Sequence, residues 1–105
     1  MKMIRAIIRP EKEDEVIKSL ENAGFSSITK MDVLGRGKQK GIQVGSAVYD
    51  ELAKTMILVV VEDSMCAKAT EAITQAAKTG NFGDGKIFLS SVESALTIRT
   101  GKAGL

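Results

Sequence analysis

The first apolar run, residues 2–9, carries β-branched Ile4, Ile7 and Ile8 with Arg5 and Arg9 interrupting the apolar pattern, and reads as a strand. Pro10 follows and suits the first turn of a helix, where its missing N–H costs no hydrogen bond. The period then changes. Val16, Ile17, Leu20 and Ala23 form an apolar stripe at helical spacing, and Gly24 is expected to cap its end. Glu11, Glu13, Asp14 and Glu15 crowd the start, where the helix dipole favours anions, so they read as a solvated helix start rather than a metal site. Residues 26–34, with Ile28, Val33 and Leu34, predict a second strand. Residues 54–61 are almost continuously apolar, which predicts a central strand buried on both faces. Asp63 or Ser64 is expected to cap a second helix. Its narrow face of Cys66, Ala69, Ile73, Ala76 and Ala77 can lie close to a sheet, and the helix should stop near Gly80. Ile87, Phe88 and Leu89 predict a further strand, residues 95–99 a short last one, and residues 100–105 a mobile tail.

The order β-α-β-β-α-β with a short extra C-terminal strand is that of an α+β, ferredoxin-like sandwich, the split βαβ arrangement. Residues 1–105 read as one domain. Two helices cover one face of the sheet, and so many apolar strand residues ask for cover on the other, expected from another subunit. Composition changes this picture little. The chain is 44% hydrophobic and 27% charged, as ordinary soluble domains are. A net charge of +2 gives no argument for nucleic acid. No apolar run is long enough to cross a bilayer, and the N-terminus lacks a signal peptide's apolar core, so no membrane insertion and a cytoplasmic location are expected. Cys66 is alone, which leaves no intrachain disulfide and no cysteine-based zinc site; it is expected to pack as a small hydrophobe. Histidine is absent, which removes histidine triads, phosphohistidine chemistry and histidine-ligated metals.

Two glycine-rich stretches carry the candidate chemistry. Residues 79–88 place Gly80, Gly83 and Gly85 ahead of Lys86 and an apolar strand. Glycines let backbone pass close to a ligand, successive N–H groups make a concave anion site, and a lysine adds a point charge suited to phosphate. Taken alone, the stretch is more simply a helix stop followed by a glycine turn. It is not a P-loop, because Ile87 stands where Ser or Thr is needed and a strand follows instead of a helix. Residues 35–41 alternate Gly35, Gly37 and Gly41 with Arg36, Lys38 and Lys40, without dinucleotide-fingerprint spacing. They read as a flexible basic loop or as a second phosphate-facing loop with Gln39 as a polar ligand. Residues 42–53 read as a long connection, and such connections are usually functional or disordered.

The segments Ala6–Pro10, Gly35–Gly41, Thr79–Phe88 and Ile98–Gly101, in this order and at these separations, resemble the PII signal-transduction proteins over nearly the whole chain. The resemblance implies a trimer that binds ATP or ADP in clefts between subunits. By similarity Gly83, Asp84, Gly85 and Lys86 wrap the phosphates, and Arg99 reaches them from the neighbouring chain. Gly35, Gly37 and Lys38 line the same cleft, with Thr29 and Val60 near the adenine. The family also binds 2-oxoglutarate beside Mg-ATP. Gln39 would then supply a side-chain oxygen to Mg²⁺, Lys54 would pair with a carboxylate, and the backbone from Gln39 through Lys40 to Gly41 would hold the ligand. The resemblance thus implies a sensor and not an enzyme, in which a loop over residues 37–53 responds to ligands and meets a target protein. The trimer could be pure or mixed with a paralogue.

This chain departs from the family pattern at three places. The stretch from Lys40 to Lys54 is several residues shorter than in most PII proteins, and Tyr49 lies closer to Lys54 than the tyrosine that bacterial members have uridylylated. Thr97 stands where a second arginine is common, so one phosphate cation is missing. Lys38 replaces a common arginine and exchanges a bidentate fork for a point charge. The short loop, with Gly41 to Gly45, resembles the subfamily linked to nitrogen fixation, whose target is nitrogenase. Alternative targets are an ammonium transporter or glutamine synthetase, and a slow nucleotide hydrolase is the enzymatic alternative. A nucleoside diphosphate kinase on this fold would need a phosphorylated histidine, and none exists. An RNA-recognition module would need stacking aromatics, which are 4% of the chain.

Overall fold

A computed structural model describes residues 1–36, 42–44, 47–49 and 51–105, with backbone alone at 42–44 and 47–49. The elements run β1 (Lys2–Ile8), a 3₁₀ turn (Pro10–Lys12), α1 (Glu13–Asn22), β2 (Thr29–Gly35), β3 (Ile42–Val44), β4 (Ala47–Tyr49), β5 (Leu52–Val61), a 3₁₀ turn (Asp63–Met65), α2 (Cys66–Ala77) and β6 (Lys86–Ser91). The main sheet has the order β2-β5-β1-β6, with antiparallel neighbours throughout. Each β-α-β half therefore admits a strand of the other half between its own two. This is the α+β ferredoxin-like arrangement expected from the pattern.

The core lies between the sheet and the two helices. Along β1 it takes every second residue, Ile4, Ala6 and Ile8, and along β5 it takes Thr55, Ile57, Val59 and Val61. Val16 and Leu20 from α1 and Ala69, Ile73 and Ala77 from α2 close it. The alanines of α2 let that helix sit near the strands, as its small-residue face implied. Ser19 Oγ donates to the Ala72 carbonyl at 2.8 Å and ties the two helices together. Cys66 is half-buried against the same core.

Several expectations are corrected. The run 54–61 is not buried on both faces. Lys54, Met56, Leu58 and Val60 are only half-buried, because the helices cover one side and no layer lies on the other side among the described residues. β5 also starts earlier, at Leu52, and the connection before it contains the antiparallel pair β3 and β4. Neither Asp63 nor Ser64 caps α2. Asp63 instead accepts the N-terminal amine at 3.0 Å, and a 3₁₀ turn leads into the helix. α2 stops at Ala77, before Gly80, and Lys78 is already extended. The expected strand at 95–99 is reduced to one bridge between Leu96 and Ala103. The tail is not loose: Thr97 N–H donates to the Lys102 carbonyl at 2.9 Å and Gly104 N–H to Ala95 at 2.9 Å.

Candidate functional site

The open face of the sheet follows from the register. Residues directly opposite one another share a face, so Met3 with Val60, Ile7 with Met56 and Arg5 with Phe88 all turn away from the helices. At the end of this face where β2 finishes and β6 begins, a cavity of about 490 Å³ opens. Gly35, Lys54, Gly83, Gly85 and Lys86 line it, with Leu52, Phe82 and Phe88 as apolar walls. This volume falls in the range of small-molecule sites. A second cavity, about 280 Å³, lies across the sheet between α2 and β6, and shares Ile7, Gly85 and Lys86 with the first.

The loop that builds the site is held by its own chemistry. Asp84 N–H donates to the Asn81 carbonyl, and Gly83 takes a φ of 98°, the third-position conformation for which a type II turn needs glycine. Gly85, at φ 101°, passes so close to β1 that a Cβ there would fall 1.7 Å from the Ile7 carbonyl oxygen. No other residue fits. The Asp84 carboxylate turns into the loop, accepting Thr79 N–H at 2.9 Å, Gly80 N–H at 2.8 Å, the Thr79 hydroxyl at 2.5 Å and Arg9 Nε at 3.3 Å. The Thr79 hydroxyl and amide, then the Gly80 amide and Arg9, hold its carboxyl well below the usual range. Arg9 Nη2 also donates to the Phe82 carbonyl at 2.6 Å, and Lys54 Nζ donates to the Gly83 carbonyl at 2.6 Å. Burial, and then the nearby Arg9 charge, push the Lys54 ammonium down from its ordinary value.

Gly35, Lys54, Gly83, Gly85 and Lys86 thus come together as the family resemblance implies, although they lie on three separate segments. Asp84 does not line this cavity but the second one, and its carboxylate is occupied within the loop. Thr29 and Val60 are not brought to this cavity. They sit near one another at the other end of β2 and β5, six residues from Gly35 and Lys54, or about 20 Å along a strand. Arg99 is exposed in the turn beyond Leu96 and does not line the cavity. Gly37, Lys38, Gln39, Lys40 and Gly41 lie outside the described residues, as do most side chains of the loop over 37–53. Sequence reasoning missed Arg9 and Thr79 as parts of the site. The available signal was the place of Arg9 directly before Pro10, where the backbone must be extended. It also missed the pairing of Glu13 with buried Thr55 and with Lys30, which fastens the start of α1 to β5 and β2.

A four-stranded α+β sheet with a glycine-and-cation pocket at one end defines a small ferredoxin-like binding domain. The comparisons name the family: the model of the nitrogen regulatory protein P-II family matches residues 1–102, and the chain belongs to that family. The "Nitrogen fixation nifHD1 region GlnB-like protein 1" of Methanosarcina barkeri is 58% identical over 105 residues, with all of both chains covered. The corresponding nifHD region protein of Methanococcus maripaludis strain S2 is 55% identical over 105 residues, again with both chains fully covered. A "Nitrogen regulatory protein P-II" of Bradyrhizobium diazoefficiens is 44% identical over 109 positions, covering all of this chain and 97% of that protein. No helix among the described residues is long and apolar enough to cross a membrane.

Proposed function

We propose that this member of the P-II family senses adenine nucleotide and 2-oxoglutarate, and passes the result to a nitrogen-metabolism target by protein contact. One observation carries the reading. Gly35, Lys54, Gly83, Gly85 and Lys86 line a single cavity. Its donor set fits a phosphoryl chain: a glycine loop that only glycine can form at Gly85, and the charge of Lys86. Each charge-assisted hydrogen bond to a phosphate oxygen contributes about 1.5–3 kcal/mol. Gln39 is the proposed protein ligand to Mg²⁺, which takes few protein ligands when phosphates supply the rest. Lys54 would take a carboxylate of 2-oxoglutarate, helped by the backbone of Gln39, Lys40 and Gly41.

The separation of Thr29 and Val60 from the cavity supports a cleft between copies. One end of a protomer would offer Gly35, Lys54 and the Gly83–Lys86 loop. The other end of its neighbour would offer Thr29, Val60 and Arg99. The half-covered apolar residues Met56, Leu58 and Val60 on the open face agree with trimerisation, pure or with a paralogue.

Control of nitrogenase is the proposed output. It is supported by the names of the nifHD region relatives. Signalling without catalysis is part of the proposal, and an ATP turnover assay checks it. The decisive experiment is a calorimetric titration with ATP, ADP and 2-oxoglutarate, with and without Mg²⁺. Binding of ADP alone, and of 2-oxoglutarate only alongside Mg-ATP, is expected. Gln39→Ala should weaken 2-oxoglutarate binding and leave ADP binding nearly intact; equal losses for both would refute that division of roles.

A further inference from the structure

Two cations from different segments, Arg9 just after β1 and Lys54 in β5, hold two consecutive carbonyls of the 79–86 loop, but they stand in different places. Lys54, which holds Gly83, lines the cavity. Arg9, which holds Phe82, does not. Its guanidinium instead joins both arms of the loop from behind. One edge reaches the tip through the Phe82 carbonyl, and Nε reaches Asp84, whose carboxylate already gathers the Thr79 and Gly80 amides. The side chains of Arg9 and Asp84 are each 24% exposed, so the pair is only partly screened by water. The backbone of Arg9 is preset as well. It lies between β1 and Pro10 at φ −63° and ψ 137°, the extended conformation that a following proline enforces.

We propose that Arg9 is a positioning residue: through Asp84 and the Phe82 carbonyl it holds the 79–86 loop in the conformation that fronts the cavity, and so sets affinity for the phosphoryl end of an adenine nucleotide without touching it. The inference rests on the nucleotide reading above. It requires a fork. Arginine offers several donors in fixed geometry, whereas lysine offers one compact charge that can serve the carbonyl or the carboxylate but not both in the same way.

The test uses the full chain, with ADP as the probe. Affinity is measured by calorimetry for the wild type, Arg9→Gln, Asp84→Asn and the double variant, and amide hydrogen exchange is followed without ligand. Each single variant is expected to bind ADP about tenfold more weakly, the scale of one charge-assisted hydrogen bond. The double variant should lose little more than the weaker single one, because the two side chains act through one another. Amides of Gly80 to Lys86 should exchange faster in the variants, while those of α1 and β5 keep their protection. Arg9→Lys, the mildest change, should fall between, at about threefold weaker binding. It serves as the test if Arg9→Gln does not fold. A wild type that binds ADP while the folded variants bind it equally well overturns this inference alone, even if their melting temperatures fall. A wild type that binds no ADP overturns the functional reading and this inference with it.

Discussion

The chain makes the same move twice, from helix back to strand, and the two turns have nothing chemical in common. After α1 the turn is bare. Gly24 takes a φ of 98°, its N–H donates to Glu21, Phe25 N–H donates to Leu20 at 2.9 Å, and a Cβ on Gly24 would meet nothing within 4 Å. This is an ordinary helix stop of the Schellman kind. After α2 the turn is long, centred on a carboxylate, braced by Arg9 and Lys54, and pressed on β1 at Gly85. The two halves share a plan, and only one connection has become a pocket wall. What separates them is the number of outside groups that hold each turn: none among the described residues for Gly24, several for the second.

Substituting the two glycines breaks the comparison most sharply. Gly85→Ala should destabilise the chain by about 3 kcal/mol or more, since a methyl would collide with the Ile7 carbonyl in a conformation already unfavourable to L-residues. Gly24→Ala adds only the backbone strain and should cost about 1–2 kcal/mol. Urea denaturation of both proteins measures the gap, and equal midpoints would remove the distinction drawn between the turns. A smaller effect is expected from Thr79→Val, which deletes the hydroxyl bond to Asp84 and should cost about 1 kcal/mol by the same measurement.

Acid sharpens the comparison from another side. Only the second turn contains a carboxylate with a depressed pKa. Asp84 lies below its ordinary value of 3.8, so the stability it contributes is fully present above that value and is lost as pH falls through the lower folded-state value. Glu13, depressed by its bonds to Lys30 and Thr55, acts in the same direction at the α1 end. Asp84→Asn should therefore destabilise the protein more at pH 7 than at pH 3, as urea midpoints at the two values would show. A difference independent of pH would mean that the carboxylate's charge is not what organises the loop.

Much of this was legible beforehand. The β-branched run of β1, the stripe of Val16 and Leu20, and the small face of α2 each depend on neighbours in the chain, so the local pattern exposes them. The cavity's glycines and lysines were legible only through the family pattern, because a glycine turn and a phosphate loop look alike until something is seen to press against them. Other features were misread for reasons of context. The continuous apolar run of β5 says nothing about whether a second layer is present. The acidic residue ahead of α2 could cap the helix or meet the terminal amine, and the amine is nearby only after β1 pairs with β5.

The type and order of the two helices and of the four strands of the main sheet, then, were settled by local pattern, since side-chain spacing and turn residues act within a few positions. The bracing of the 79–86 loop was not. Arg9 meets Asp84 across 75 residues and Lys54 meets Gly83 across 29. Such contacts exist only after β5 and β6 have been laid on either side of β1, which brings the three chain segments to one end of the sheet.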